Sequence, residues 1–219
     1  DNVINNTIMS YKISLDADVV GLTAYPTTPM IEDIRAIQHL YGTNNSFNSG
    51  DTSYFFDDST TYFQTIWDSG GTDTITYSGK QPIELSLDSA SGSFIGKRVK
   101  GYSDNGTHLT EIKNIYIADF VTIENASGGS GNDLIEGNFA SNFLVGGKGN
   151  DNLYGHGAND VFEGGEGNDF IYGGEGVDIA LRSLSDFEVN YLGKQNFQLT
   201  SSGYEGVDSL FNVERIYVG

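Results

Sequence analysis

An oxygen-bearing side chain recurs every nine residues in one stretch of the chain, and glycines precede it at fixed places. Between Gly128 and Leu181 there are six consecutive nonapeptides: GGSGNDLIE, GNFASNFLV, GGKGNDNLY, GHGANDVFE, GGEGNDFIY and GGEGVDIAL. Their sixth place holds Asp133, Asn142, Asp151, Asp160, Asp169 and Asp178. Glycines at the first, second and fourth places are expected to take positive φ, turn the backbone sharply and point carbonyl oxygens inward. Six or more hard oxygen ligands are what Ca²⁺ prefers, so the spacing predicts calcium binding.

The eighth place of each repeat predicts the element that positions these oxygens. It is apolar throughout, with Ile135, Leu144, Leu153, Phe162, Ile171 and Ala180. The pattern GGxGxDxUx, with U apolar, is typical of a calcium-binding parallel β-helix. Each turn would contain two repeats, with the apolar residues stacked inside. Repeats one, three and five would line one edge and the others the second edge, holding about four ions between successive loops. A flexible Gly-rich linker is the alternative, but a linker does not keep an apolar residue in phase.

The predicted calcium ligands in the repeats combine backbone carbonyl groups with the sixth-place side chains. They are Gly129, Gly131, Asp133, Asn138, Ala140, Asn142, Gly146, Gly147, Lys148, Gly149, Asp151, Gly155, His156, Gly157, Ala158, Asp160, Gly164, Gly165, Glu166, Gly167, Asp169 and Asp178.

The composition limits the possible binding partners of the chain and the kinds of metal site it can form. Asp and Glu number 30 against 11 Lys and Arg, which gives a formal charge of −19, so nucleic acid and anionic membranes are poor partners. Cysteine is absent, which excludes disulfides and thiolate metal sites. No apolar run reaches the ~20 residues of a membrane span, and no cleavable signal peptide opens the chain. Export would need another signal.

The rest of the sequence indicates β-structure and one helix. Thr28 and Pro29 are the predicted N-cap and first helical residue, apolar residues recur at helical spacing from Ile31 to Tyr41, and Gly42 is the predicted stop. The runs TSYFFDD, DTITYS, PIELSL and IYIADFVTIE are predicted strands that lead into the coil.

Several motifs follow one another along the chain. They are I8-M-S-Y11, P29-M-I-E-D-I-R-A-I-Q-H-L-Y-G42, G50-D-T, W67-D-S-G-G-T-D73, V121-T-I-E-N-A126 and the nonapeptides of the RTX type. In this order they resemble the C-terminal two-thirds of a serralysin, a secreted zinc metallopeptidase of the metzincin group. The resemblance covers roughly residues 7 to 181 and implies a calcium-loaded β-roll with flanking β-sandwich strands, in a mainly β fold. It also implies secretion to the extracellular space by bacterial type I export.

The resemblance assigns roles to matching positions. Met9 is similar to the methionine of the Met-turn beneath the zinc, and Tyr11 to the tyrosine that lies near the zinc and stabilises the transition state. An ordinary buried Met and Tyr are the alternative. One calcium ion would be held by Asn48, Gly50, Thr52, Asp68, Gly70 and Asp73, and a second by Gly71, Asp73, Thr122 and Glu124.

The zinc-binding motif HExxHxxGxxH is missing from this sequence. The three histidines of the chain are His39, His108 and His156. His39 is expected to pack or cap on the helix, His108 to lie in a turn and His156 in a loop, and none is a good zinc candidate. This chain alone is therefore not expected to hydrolyse peptides. Zn²⁺ would belong to a complete parent enzyme, with protein or peptide substrates, and the N-terminal catalytic portion could be a bound partner.

The C-terminal residues depart from the serralysin pattern. Two predicted strands are followed by G-V-D-S-L-F-N-V-E-R-I, which resembles the capping segment of other exported proteins. The predicted domains are the end of a protease domain (1–45), a β-rich segment with calcium sites (46–127), the β-roll (128–181) and a capping segment (182–219).

Three functions remain open at this point. The chain could be the C-terminal part of a serralysin-like endopeptidase, supplying the floor of the active site, calcium-dependent folding and export competence. It could also be a calcium-binding module of a noncatalytic adhesin. The third possibility is a module of another exported enzyme, such as a lipase or a polysaccharide-modifying enzyme.

Overall fold

The computed structural model describes residues 19–22, 24–89, 91–103, 108–182, 187–201 and 206–218. Over these ranges the fold is mainly β, with a single helix, as the sequence predicts. The elements are β1 (Val19–Leu22), α1 (Ile31–Tyr41), β2 (Ser53–Phe56), β3 (Gln64–Ile66), β4 (Thr74–Tyr77), β5 (Glu84–Ser86), β6 (Val99–Ser103), β7 (His108–Ile112), β8 (Ile115–Ile117), β9 (Asn125–Ser127), β10 (Leu134–Glu136), β11 (Phe143–Lys148), β12 (Asn152–Gly157), β13 (Val161–Glu166), β14 (Phe170–Glu175), β15 (Ile179–Arg182), β16 (Phe187–Gly193), β17 (Asn196–Ser201), β18 (Val207–Phe211) and β19 (Arg215–Val218).

Two seven-stranded sheets form the roll. One has the order β16-β17-β18-β14-β12-β10-β5, and the other has the order β19-β15-β13-β11-β9-β4-β2. Strands from β5 to β18 in the first sheet pair in parallel, as do all strands of the second. Successive nonapeptides alternate between the two sheets. The chain therefore coils with two repeats per turn, as predicted.

The register places equivalent repeat positions above one another. Leu144 pairs with Phe162, and Leu153 pairs with Ile171, each 18 residues along the chain. The eighth-place residues of all six repeats are at most 2% exposed and belong to one core cluster. The predicted apolar stack is confirmed, and it fixes which side chains face inward because neighbours along a strand point to opposite faces.

Both sheets extend beyond the nonapeptides. Upstream, β4 pairs with β9 and β5 pairs with β10. Downstream, β18 pairs with β14 and β19 pairs with β15, while β16 and β17 form an antiparallel hairpin beside β18. This hairpin corresponds to the two strands predicted before the G-V-D-S-L-F-N-V-E-R-I run. The predicted domain boundaries stay a prediction, since the sheets are continuous across the ends of the repeats.

The helix begins later than predicted. Its N-cap is Met30, not Thr28, because the backbone N–H of Met30 donates to Asp33 Oδ2 at 2.9 Å. The Thr28 hydroxyl instead accepts the backbone N–H of Thr65 at 2.8 Å, which ties the preceding loop to β3. Gly42 caps the C-terminus with φ of 80°, as expected.

Two local expectations are wrong. The run from Ile115 to Glu124 is a strand only to Ile117, since Phe120 has φ of 65° and Val121 N–H turns back to the Ala118 carbonyl. The first-place glycines of the repeats do not have positive φ. That conformation occurs at the second and fourth places of repeats three to six. None of the helices in the described ranges is long and apolar enough to cross a membrane.

Candidate calcium sites

The sixth-place side chains build two hydrogen-bonded ladders, one per edge of the roll. In each rung a carboxylate oxygen accepts the backbone N–H of the sixth-place residue one turn earlier. The first ladder joins Asp133, Asp151, Asp169 and Asp208, with N···O distances of 2.8 to 3.0 Å. The second ladder joins Asn142, Asp160, Asp178 and Glu214, with distances of 2.6 to 2.9 Å. All six repeat side chains are buried.

The ladder hydrogen bonds involve one oxygen of each carboxylate. The surroundings of the second oxygen differ from repeat to repeat. Asp151, Asp160 and Asp178 each have a buried Oδ2 atom with no hydrogen-bond partner. An ionised carboxylate that is buried without a compensating donor or cation is strongly unfavourable. These three oxygens therefore mark positions where a cation would be stabilising.

The second oxygen atom is already satisfied in the first repeat. Asp133 Oδ2 accepts the Gly129 N–H at 2.8 Å, and in the second repeat Asn142 Oδ1 accepts the Asn138 N–H at 2.8 Å. Repeats that look equivalent in sequence thus differ in structure. Open oxygens occur in the third, fourth and sixth repeats but not in the first two.

The first-place glycines make room for these oxygens. An ideal Cβ on Gly146 would lie 2.4 Å from Asp151 Oδ2 and 2.5 Å from the carbonyl oxygen of Gly164, one turn on. On Gly155 it would lie 2.1 Å from Asp160 Oδ2 and would meet a carbonyl oxygen at 2.5 Å. A carboxylate oxygen and a carbonyl oxygen therefore converge beside each glycine. This pairing matches the donor set that Ca²⁺ takes in proteins.

Burial also changes the acidity of the ladder carboxylates. Removal from water raises the pKa of Asp151 and of Asp160 to about 7, and it raises the pKa of Asp133 and of Asp178. Neighbouring carboxylates, such as Asp169 beside Asp151, raise the pKa further. Close to neutral pH the carboxylates of the metal-free ladders therefore bind protons, and a bound cation would displace these protons.

The junction before the roll gathers part of the first predicted ligand set. Asp73 Oδ1 accepts the Thr52 N–H at 2.8 Å, and Asp73 Oδ2 is buried with no hydrogen-bond partner. Asp68 is buried, with Oδ1 accepting the Gly70 N–H at 2.9 Å and Oδ2 accepting the Tyr54 hydroxyl at 2.7 Å.

The remaining junction residues lie beside them. The Asn48 carbonyl accepts the Ser69 N–H at 3.4 Å, and a Cβ on Gly71 would lie 2.5 Å from the carbonyl carbon of Gly50, so these two loops touch.

Part of the second predicted set is also brought together. The Asp73 N–H donates to Glu124 Oε2 at 2.8 Å, and Gly71 lies two residues before Asp73. Thr122 is exposed in the loop before β9. Burial, followed by the charges of Asp68 and Glu124, raises the pKa of Asp73 to about 6.

Two carboxylates that continue the ladders were not among the predicted ligands. Asp208 and Glu214 occupy rungs one turn after Asp169 and Asp178. The signal was present, because G206-V-D-S-L210 repeats places four to eight of the nonapeptide, and Glu214 and Ile216 repeat places six and eight.

Other predicted site residues lie apart from the ladders. Met9 and Tyr11 lie outside the described residues. His39 is exposed on α1, and His156 is exposed near the end of β12 with φ of 76°. His108 begins β7 and is not in the predicted turn, because its backbone pairs with Tyr102 of β6. Across the described parts of the chain, no three His, Asp or Glu side chains lie close enough together to form a metal-binding group.

The fold agrees with comparisons to known proteins. Residues 31–201 match the family model described as Peptidase M10 serralysin C terminal. Because this match spans most of the chain, the protein belongs to the serralysin C-terminal family.

Individual relatives agree. Metallopeptidase AprA of Pseudomonas marginalis is 42% identical over 137 residues, which is 57% of this chain and 26% of that protein. Serralysin of Proteus mirabilis is 40% identical over 150 residues, 63% of this chain and 28% of that protein. Serralysin C of Dickeya chrysanthemi is 40% identical over 144 residues, 59% and 27% of the two chains. The chain thus matches about a quarter of the length of these relatives.

Proposed function

We propose that this chain is the calcium-folded C-terminal part of a secreted, serralysin-like zinc metalloendopeptidase. One observation carries the calcium role. The Oδ2 atoms of Asp151, Asp160 and Asp178 are buried without a donor, at equivalent places in the roll. Beside the first-place glycines they converge with main-chain carbonyl oxygens of the next turn. Oxygen ligands of these two kinds favour calcium over zinc, which takes nitrogen and sulfur as well.

The roll would depend on the ion for its stability. Bound calcium supplies the positive charge that the ladder carboxylates lack. Each site stabilises the folded chain by RT ln(1 + [L]/Kd), so four sites at ten times Kd would contribute ~6 kcal/mol, comparable to the whole stability of a small domain. At low calcium the carboxylates repel one another in a chain of charge −19, and the Gly-rich repeats are costly to order. An unfolded chain suits export, and calcium outside the cell would then fold it.

The junction residues would hold further calcium. Asp73 is the strongest candidate, since its Oδ2 is buried without a partner and its neighbours include Asp68 and Glu124. Asn48, Gly50, Thr52 and Gly70 would complete one site, with Gly71 and Thr122 in the second. These ions would join the helix-bearing region to the roll.

An exposed apolar surface supports an additional protein partner. On α1 the side chains of Ile37, Leu40 and Tyr41 are 53%, 71% and 84% exposed. Beside them lies a cavity of about 460 Å³ between α1, β2 and β3, lined in part by Phe47 and Trp67. Contiguous exposed apolar residues of this kind mark interaction surfaces. We propose that the catalytic portion of the parent enzyme covers this surface.

The zinc chemistry would then belong to that catalytic portion. Met9 would lie in the turn beneath the zinc and Tyr11 would act near it, as the resemblance implies. The zinc ligands themselves would come from the HExxHxxGxxH segment, and the chain alone would not hydrolyse peptides. The parent would act on protein or peptide substrates outside the cell.

Intact mass and N-terminal sequencing of the native protein, with its calcium and zinc content, test this proposal. A longer chain or a co-purifying fragment that carries HExxHxxGxxH, with one zinc and several calcium ions, is the expected result. A chain beginning at Asp1 with calcium alone would overturn the peptidase assignment and favour a noncatalytic calcium module.

A further inference from the structure

The last rung of the first ladder differs from the others. Asp208 Oδ1 accepts the Asp169 N–H at 3.0 Å, as the repeat aspartates do for their neighbours. Its Oδ2, however, accepts a hydrogen bond from Arg182 Nη1 in an ion pair. The two side chains are 3% and 2% exposed, so both charges are removed from water. Arg182 ends β15 in the opposite sheet, and its guanidinium reaches across the roll to this rung.

The backbone around Asp208 follows the repeat geometry. A Cβ on Gly206 would lie 2.4 Å from the carbonyl oxygen of Gly167, just as one on Gly167 would lie 1.8 Å from that of Gly149. The Val207 N–H donates to Asn168 Oδ1 at 2.7 Å, and the Asn168 N–H donates to Asn150 Oδ1 at 2.8 Å. Residues 206–208 therefore stack on the fifth repeat as a further half-repeat, although they lie 39 residues beyond it.

The difference is in the charge beside the second oxygen. At Asp151, Asp160 and Asp178 the buried Oδ2 has no hydrogen-bond partner, whereas at Asp208 the same atom contacts a guanidinium. A buried carboxylate needs a compensating cation, and arginine is always charged in proteins.

We propose that the first ladder ends in a cation site at Asp208 that is permanently filled by the side chain of Arg182 instead of a metal ion. The comparison with calcium rests on the function proposed above. Because this cation is covalently attached, the final rung is neutralised at any calcium concentration. At Asp151, Asp160 and Asp178 the described residues place no such internal cation beside Oδ2, so these rungs would require the metal.

Three variants of the full chain test this site by calcium titration in far-UV circular dichroism. Arg182→Met removes the internal cation but keeps an apolar side chain of similar length. Arg182→Met/Asp208→Asn removes both charges. Arg215→Met is the matched control, since Arg215 is exposed on the neighbouring β19.

Loss of the cation leaves Asp208 charged and buried. With about four cooperating ions, we expect the calcium midpoint of Arg182→Met to rise about three- to eightfold. The double variant should return to within about twofold of the unsubstituted protein, because replacing a whole buried ion pair is often neutral.

The outcomes separate this proposal from the calcium proposal. If the unsubstituted chain shows no calcium-dependent folding, the proposed function fails first. If it folds with calcium but Arg182→Met behaves like Arg215→Met, only the internal-cation proposal is overturned. Should Arg182→Met not fold at any calcium concentration, the double variant decides. If the double variant folds with calcium, the proposed charge compensation by Arg182 is supported. If it does not fold, Arg182 acts through packing.

Discussion

Asp160 offers a sharp test of how the ladders work, because its two carboxylate oxygens have separate roles. Oδ1 accepts the Asn142 N–H at 2.8 Å, and Oδ2 is buried without a partner. Asp160→Asn keeps an oxygen for the Asn142 N–H and removes the charge. Asp160→Ala removes both. The natural chain already has an asparagine at the sixth place of the second repeat, so the substitution is compatible with the fold.

The expected losses follow from these roles. At a calcium concentration ten times Kd, loss of one ion from Asp160→Asn costs about 1.4 kcal/mol of unfolding free energy. Asp160→Ala also leaves the buried Asn142 N–H unsatisfied, which costs a further ~1 to 3 kcal/mol. Without calcium at neutral pH the order changes. Asp160→Asn should then be no less stable than the unsubstituted chain, because it removes a buried charge whose pKa burial raises to about 7.

The free energy of unfolding of both variants is measured by urea unfolding at a fixed calcium concentration, followed by circular dichroism. Glu175→Gln is the control, since it makes the same change in charge at an exposed position of β14. Equal stability of Asp160→Asn and Glu175→Gln at every calcium concentration would refute the assignment of Oδ2 as a cation ligand. Equal stability of the Asn and Ala variants would refute the role of Oδ1 in the ladder.

Three further predictions concern packing, pH and the helix. Gly146→Ala should destabilise the calcium-loaded chain by ~2 to 4 kcal/mol in the same unfolding assay, because its Cβ would lie 2.4 Å from a ladder carboxylate oxygen. Lowering the pH below 7 should weaken calcium binding to the folded chain, with the Kd from equilibrium dialysis rising by up to about tenfold per pH unit for each proton displaced per ion, since burial raises the pKa of two ladder aspartates from 3.8 to about 7. The metal-free fold should show the opposite trend, losing stability as the pH rises from about 4 to 7, because the folded chain binds more protons in that window; a Kd and a metal-free stability that are both independent of pH would contradict the raised pKa values. Arg35→Ala should cost only ~1 kcal/mol, because its pair of hydrogen bonds to Asp119, at 2.5 and 2.9 Å, is partly exposed, and a loss above 3 kcal/mol would show that the helix attachment depends on this pair.

The parts of the fold that repeat in sequence were predictable. Leu153 and Ile171 are 18 residues apart, and the fixed phase of such residues is enough to give two repeats per turn and a stacked core. The helix was predictable from its periodicity, but its N-cap was not. Capping by Asp33 and the use of Thr28 by β3 depend on tertiary contacts that the local pattern does not contain.

The repeat pattern of the sequence could not predict the differences among the sites. Asp133 and Asp151 occupy identical repeat positions, yet only Asp133 has its second oxygen satisfied, by the Gly129 N–H. That distinction depends on the backbone conformation of each loop. The pairing of Arg182 with Asp208 joins residues 26 apart across a hairpin, so spacing alone gave no reason to connect them.

We propose that calcium folds this chain by compensating buried carboxylates. The most direct measurement is the number of calcium ions bound per chain, by equilibrium dialysis, together with the far-UV circular dichroism spectrum before and after chelation. We predict several bound ions, a β-rich spectrum in calcium and its reversible loss when a chelator is added. A β-rich spectrum that persists with no bound calcium at neutral pH would contradict the account.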